Sequence, residues 1–342
     1  MNSFPDELNI ENEFYFQWHI TEKCNLRCKH CYHAAYTSAN ELSLSELILI
    51  GDKIDSTLKK WDIDGTLSIT GGEPFMVMDK LFPLLQHINS LEAITHFDLL
   101  TNGSLLDEGI LLDLKGFKKL RRVQVSLEAG NRELNDQIRG NGSFEKTLSA
   151  IRLLKKNDFQ AAVMMTISNI NKNEVEPLVD MLKREGVDTF SAERFIPEGV
   201  GSNLKDEFLA PEEVKNVFES IYSLAMKEDG IRILLYRPLF ALLNGSDPTV
   251  GALCSAGNNA LTIMHDGTIY PCRRLPIPIG NAVTDSFYKV WYTSKVLWNL
   301  RNPVNIKGKC SGCDFIPICR GCRAMAYALT GDYLAEDPQC WR

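Results

Sequence analysis

Between Phe14 and Pro197 the chain alternates short apolar runs with longer amphipathic stretches. The strand candidates are FYFQWHIT (14–21), TLSIT (66–70), HFDLLT (96–101), RRVQVSLE (121–128), QAAVMMTIS (160–168) and TFSAERFI (189–196). Helix candidates lie between them at about 43–60, 79–89, 105–115, 143–157 and 173–185. Ser43 with Glu46 three residues on is a capping box, and Gly186 stands where a C-terminal cap glycine belongs. Strict alternation of this kind admits few folds: a parallel sheet with helices outside it. Six units make three-quarters of an eight-fold barrel, so the expected class is α/β, a partial (βα)6 TIM-like barrel. Its chemistry should lie at the C-terminal ends of the strands.

The organisation changes after Pro197. Residues 198–250 hold a polar loop, a helix near 211–228 and the apolar run IRILLYRPLFALL, and look like a bridge. LTIMHDGTIYPC (261–272) alternates around Asp266-Gly267, a hairpin signal. SFYKVWYTSKVLWNLR reads as one helix whose Trp291, Tyr292 and Trp298 should pack against that hairpin. A helix in CRAMAYALTGD should stop at Gly331. The expected segments are 1–197, 198–250 and 251–342.

Net charge is −7, which argues against nucleic-acid backbone binding. No signal peptide or membrane-length apolar run is present, so the expected location is the cytoplasm. A reducing compartment gives ten cysteines no routine disulfide role. Three of them, Cys24, Cys28 and Cys31, fall in TEKCNLRCKHCYH directly after the first strand. None lies between Cys31 and Cys254, and then come Cys254, Cys272, Cys310, Cys313, Cys319, Cys322 and Cys340. Packing alone would scatter them. Four soft ligands close a tetrahedral metal or fill a cubic iron–sulfur cluster, whereas three leave one corner bare. Taken alone, the triad also fits a zinc site completed by His30 or His33, and the paired CxxC groups fit zinc knuckles.

Other polar residues fall at the same mouth. GGEP (71–74) follows the second strand, where bare glycines let backbone approach a ligand and Glu73 can accept from an amino group. TNG, with Asn102, ends the third strand. Ser126 and Glu128 end the fourth, and Arg139 can grip a carboxylate with two hydrogen bonds. His19, His87 and His96 have no ligand spacing.

CxxxCxxC, GGEP and six βα units in this order resemble the radical S-adenosylmethionine (radical SAM) superfamily over residues 14–197. The resemblance implies that the methionine amino and carboxylate groups of SAM chelate the open iron of a [4Fe–4S] cluster. The reduced cluster then cleaves SAM to a 5′-deoxyadenosyl radical that abstracts a substrate hydrogen. It places Gly71, Gly72 and Glu73 at the amino group, Ser126 and Arg139 at the ribose and carboxylate side, Asn102 in the same cofactor site, and His30 against adenine. The C-terminal cysteines, with CSGCDFIPICRGC, resemble the SPASM extension with two auxiliary [4Fe–4S] clusters. The pattern assigns Cys254, Cys272 and Cys322 to the first and Cys310, Cys313, Cys319 and Cys340 to the second.

Two departures narrow the function. Only Arg320 and Gly321 separate Cys319 from Cys322, one residue fewer than usual, and the first auxiliary set has only three thiols. Arg273 stands where the sulfatase-maturating branch has a carboxylate base, which removes support for formylglycine formation. With every cysteine assigned to a cluster, none is left to return a hydrogen atom as in peptide epimerases. Net oxidation or bond formation is therefore expected. The resemblance makes the chain an oxidoreductase-type maturase acting on a peptide or protein side chain. Its electron donor would be reduced flavodoxin or ferredoxin. Since 23 residues precede Cys24, the peptide would need a separate leader-recognition protein or no leader at all. The alternative is a tetrapyrrole side-chain processor of the haem or haem d1 branch, because GCRAMAYALTGDYLAEDPQCW (321–341) resembles the end of those enzymes. The substrate-side acid or base is not assignable from the sequence.

Overall fold

The computed structural model describes residues 13–227, 230–245, 247, 250–251 and 253–342. The first twelve residues of the expected 1–197 segment and parts of the 198–250 bridge lie outside these. All six expected strands form: β1 Glu13–His19, β2 Asp64–Thr70, β3 Ile94–Thr101, β4 Leu120–Ser126, β5 Ala161–Ile167 and β6 Thr189–Arg194. They run parallel in sequence order. Helices α1 Leu44–Trp61, α2 Met78–Ser90, α3 Glu108–Leu114, α4 Arg132–Arg139, α5 Ser143–Lys156 and α6 Val175–Arg184 connect them. The capping box at Ser43 and Glu46 forms as expected. Helix α4 was not expected: its apolar residues are only Leu134 and Ile138, one i,i+4 pair too short to mark a period, and its other signal is Asn131 capping the Leu134 N–H.

The sheet continues beyond six strands on both sides. After α7 Pro211–Ala225, the two-residue β7 Arg232–Ile233 pairs with β6. On the other edge the hairpin of β8 Ala260–Ile263 and β9 Thr268–Tyr270 joins through β8, parallel to β1, and β10 Gly280–Asn281 extends it. The expected hairpin thus becomes part of the barrel sheet, giving ten strands in the order β10-β9-β8-β1-β2-β3-β4-β5-β6-β7.

The expected single aromatic helix is instead two, α8 Phe287–Thr293 and α9 Lys295–Arg301, because Ser294 leaves the helical conformation and caps the Leu297 N–H. Trp291 is buried against Phe14, at 4.8 Å between ring centroids, but Tyr292 and Trp298 are exposed. The expectation that all three pack inside is therefore corrected. The last helix, α10 Arg323–Thr330, ends at Gly331 with φ +75° as expected.

Strand alternation divides the molecule into two layers. On β1, Phe14, Phe16 and Trp18 turn outward into the apolar core beneath the helices, while Glu13, Tyr15 and Gln17 line a central cavity. On β2, Leu67 and Ile69 face out while Thr66, Ser68 and Thr70 face in. On β4, Val123 and Val125 face out while Arg122, Gln124 and Ser126 face in. The barrel interior is thus a cavity lined by polar side chains from these strands rather than the packed plug of a closed eight-fold barrel. Among the described residues no helix is long and apolar enough to cross a membrane.

Candidate active site

The cysteine loop leaves β1 and is zipped to the turn after β2. Gly72 N donates to Thr21 O at 2.8 Å, and Glu73 N donates to Lys23 O at 2.7 Å. A Cβ on Gly71 would lie 2.4 Å from Thr21 O, and one on Gly72 would lie 2.3 Å from Lys23 O. Glycine is required at both positions, and the close neighbour is the cysteine loop itself. Both residues also line the cavity. The Gly71 carbonyl faces His33 Nε2 at 3.1 Å. The sequence had His33 only as a zinc alternative; the structure shows it tying the far end of the loop to GGEP.

Glu73 does not reach the cavity wall. Its carboxylate is fully buried and accepts from Thr101 Oγ1 at 2.8 and 2.9 Å, Asn102 N at 2.7 Å and Phe75 N at 3.2 Å. Burial raises its pKa, while those donors and the Arg139 charge pull it down. It braces the ends of β2 and β3 from behind, so the structure does not set its side chain among the groups facing the cavity. Asn102, which it holds, donates through Nδ2 to Asn25 Oδ1 at 2.9 Å inside the cysteine loop.

Cys24, Cys28, Cys31, His30, Asn102, Ser126 and Arg139 all line one cavity of about 520 Å³. The unexpected α4 delivers Arg139: its Nη1 donates to Glu128 Oε1 at 2.8 Å, and His30 Nε2 lies 3.4 Å from the same oxygen. Glu128 Oε2 accepts from Thr166 N at 2.7 Å. Burial alone would raise the Glu128 carboxyl, but His30, Arg139 and the Thr166 N–H outweigh it and hold it at about 2. The buried Nε of Arg139 and Nδ1 of His30 have no hydrogen-bond partner. Burial pushes the Cys28 thiol up to about 11.

The C-terminal cysteines separate into two places. Cys254, Cys272 and Cys322 line the same cavity as the first triad. Cys310, Cys313, Cys319 and Cys340 line a separate hollow with Leu239, Leu242 and Phe315. All ten are free thiols, and burial raises Cys254 and Cys319 to about 12. Among the described residues no three His, Cys, Asp or Glu side chains are grouped to hold a single metal ion. The shortened Cys319–Cys322 spacing is met by two consecutive left-handed residues, Arg320 at φ +58° and Gly321 at φ +63°. Buried Asp337 fixes the next residue, accepting from Cys322 N at 2.8 Å while Arg194 Nη2 of β6 holds the same oxygen at 2.8 Å.

Sequence reasoning missed the charge of the cavity. Nine arginines line it against four carboxylates, Glu13, Asp98, Glu128 and Glu193. Two further carboxylates behind the wall are committed, Asp337 to Arg194 and Glu198 to Arg273. Asp98 is shared by Arg121 and Arg122, at 2.8 and 3.0 Å, and Glu193 by Arg237 and Arg274. Inside a chain of net charge −7, the cavity is therefore strongly positive. The inward polar alternation of β4 was a visible hint; Arg237 and Arg274 gave none, because only the fold brings them together. Arg273 also donates to Tyr32 O at 3.1 Å and stacks 4.3 Å over the Tyr32 ring. A guanidinium so engaged cannot serve as a base, as its position in the sequence implied.

Comparison with known proteins decides the family. The family model described as the radical SAM superfamily matches residues 18–182, and that of an iron–sulfur cluster-binding domain, SPASM, matches residues 254–323. The AdoMet-dependent heme synthase of Methanosarcina barkeri is 32% identical, across 94% of this chain and 95% of its own. This chain belongs to the radical SAM superfamily. The mycofactocin maturase MftC of Mycolicibacterium smegmatis is 27% identical across 98% of this chain and 84% of its own. Streptococcus suis SuiB, solved with its precursor peptide SuiA, shares the fold with a TM-score of 0.76 at 18% identity, over 97% of this chain and 76% of that one. The radical SAM protein described here is thus an enzyme whose cofactors are S-adenosylmethionine and [4Fe–4S] clusters, with a SPASM region at its C-terminal end.

Proposed function

We propose that this radical SAM enzyme oxidises a side chain of a carboxylate-bearing tetrapyrrole. The observation that carries this is the cavity, where nine arginines and no lysine face four carboxylates. Guanidinium forks match carboxylates geometrically, and several around one cavity suit a ligand bearing several acids. The heme synthase relative supports the same substrate class. The order of preference set by the sequence, peptide before tetrapyrrole, is thereby reversed. The peptide reading stays second, supported by the maturase relative and by SuiB with its precursor peptide.

The residues present fit the cofactors. Three thiols, Cys24, Cys28 and Cys31, open onto the cavity beside Arg139 Nε and His30 Nδ1, both buried without partners. These thiols would hold the cluster that binds SAM, with Gly71, Gly72, Asn102, Ser126, Arg139 and His30 around the cofactor. Bound there, cluster and SAM supply reductive cleavage to a radical able to abstract hydrogen. Glu73 supports this site through β3, and Glu128 fixes Arg139. Cys254, Cys272 and Cys322 would hold a first auxiliary cluster, and Cys310, Cys313, Cys319 and Cys340 a second. Reduced flavodoxin or ferredoxin would donate the electron. Residues 1–197, 198–250 and 251–342 would then be the catalytic barrel, a bridge and the SPASM region.

The test is anaerobic turnover with dithionite, SAM and an iron porphyrin carrying four propionates, followed by mass spectrometry. Porphyrin-dependent 5′-deoxyadenosine with a matching change in porphyrin mass is expected. An unchanged porphyrin, with a co-expressed neighbouring peptide modified instead, overturns the reading.

A further inference from the structure

We propose that Arg237 and Arg274, bridged by Glu193, form the subsite that grips a carboxylate of the substrate. This rests on the tetrapyrrole reading and adds to it the place where one acidic side chain is held. Three distant parts of the chain meet here: Glu193 on β6, Arg237 four residues after β7, and Arg274 two residues after Cys272. Glu193 Oε2 accepts from Arg274 Nη2 at 2.6 Å, and Glu193 Oε1 pairs with Arg237 Nη2.

A single arginine would neutralise Glu193. The second leaves surplus positive charge on a wall that faces the cavity, since both arginines line it and their side chains stay 28% and 24% exposed. Around them, Tyr236 OH accepts from Arg237 Nη2 at 2.8 Å and Arg194 O accepts from Arg274 Nη1 at 3.4 Å. Each fork carries five N–H donors, more than these partners take up. The pair is not needed to hold β6 to the C-terminal region, because Arg194 and Asp337 already make that connection as a buried ion pair. A carboxylate arriving here would meet two guanidiniums on the same wall as Cys254, Cys272 and Cys322.

The subsite is tested by binding to the cluster-loaded enzyme without reductant or SAM, following the Soret band of an iron porphyrin with four propionates and of its tetramethyl ester. Arg237→Leu and Arg274→Leu are made singly, so that Glu193 keeps one partner; iron content and circular dichroism verify folding. Wild-type enzyme should prefer the acid form, and each variant should lose about tenfold in affinity for it, about 1.4 kcal/mol. Ester binding should not change, and Arg274→Lys should restore part of the loss. Glu193→Gln should bind the acid at least as tightly as wild type, because it removes the competing carboxylate. If wild type discriminates acid from ester but both leucine variants bind the acid as wild type does, the subsite is overturned and the tetrapyrrole reading stands. If wild type binds neither form, that reading fails and the subsite with it.

Discussion

Asp337→Ala is expected to empty the auxiliary sites while sparing the SAM site, and its cost follows from the structure. Asp337 is fully buried and accepts from Arg194 at 2.8 and 3.2 Å, from Cys322 N at 2.8 Å and from Gln339 N at 3.0 Å. Removing it strands the Arg194 guanidinium, 8% exposed, with Gln339 Oε1 at 2.9 Å as its remaining side-chain partner here. Breaking one side of a buried pair costs about 3–5 kcal/mol, a large share of the roughly 5–15 kcal/mol that holds a protein folded. The melting temperature of the metal-free protein should fall by roughly 10 °C.

The functional cost is local. Asp337 fixes the Cys322 backbone through its carboxylate, and its carbonyl accepts from Cys340 N at 3.1 Å, so one residue holds the backbone beside a thiol of each auxiliary set. Iron in the reconstituted variant should drop from about twelve per chain towards four. Reductive cleavage of SAM without substrate should persist, because Cys24, Cys28 and Cys31 depend on GGEP and α4 instead. Arg194→Met added to Asp337→Ala should recover part of the lost stability, since no buried charge then stands unpaired. Full iron loading and an unchanged melting temperature in Asp337→Ala would refute the reasoning.

Gly72→Ala should abolish SAM cleavage, because its Cβ would strike Lys23 O at 2.3 Å and push the cysteine loop away; normal 5′-deoxyadenosine formation would count against it. Cys28→Ala should also lose SAM cleavage yet keep about eight irons, by iron assay and deoxyadenosine chromatography. The Glu128 carboxyl is lowered from an ordinary 4.5 to about 2, so it contributes about 3 kcal/mol above pH 4.5 that fades as pH falls towards 2. Glu128→Gln should therefore show a shallower acid limb in denaturant titrations between pH 5 and about 2, and an unchanged limb would contradict the assignment.

The strands and most helices were legible because each carries its own local signal. β1 alternates visibly, Ser43 and Glu46 announce α1, and Gly331 stops α10. Features set by distant pairing were not. Nothing in ALTI says that it will lie parallel to β1, with Ala260 opposite Tyr15 and Ile263 opposite Trp18, because register follows the burial of both faces. Helix α4 was missed because its one apolar pair, Leu134 and Ile138, is too short a pattern to read, although it delivers Arg139. In the site, the spacing of Cys24, Cys28 and Cys31 was readable because all three fall in one short loop after β1. The shared carboxylates Asp98 and Glu193 were not, since each collects arginines that only the folded barrel brings together.

The two auxiliary thiol sets occupy unlike environments, and that difference bears on direction. Cys254, Cys272 and Cys322 share the cavity with the first triad, beside the arginine-rich wall where an anionic substrate would lie. Cys310, Cys313, Cys319 and Cys340 line a separate hollow together with Leu239, Leu242 and Phe315. Oxidation by hydrogen abstraction leaves a substrate radical with one electron still to lose. A cluster held by Cys254, Cys272 and Cys322 would lie in the cavity with the substrate, placed to receive that electron, and one held by the four thiols of the separate hollow would be placed to pass it on. Under the proposed function, three thiols on the cavity and four outside it would form one arrangement, with any open cluster position kept on the side where substrate approaches.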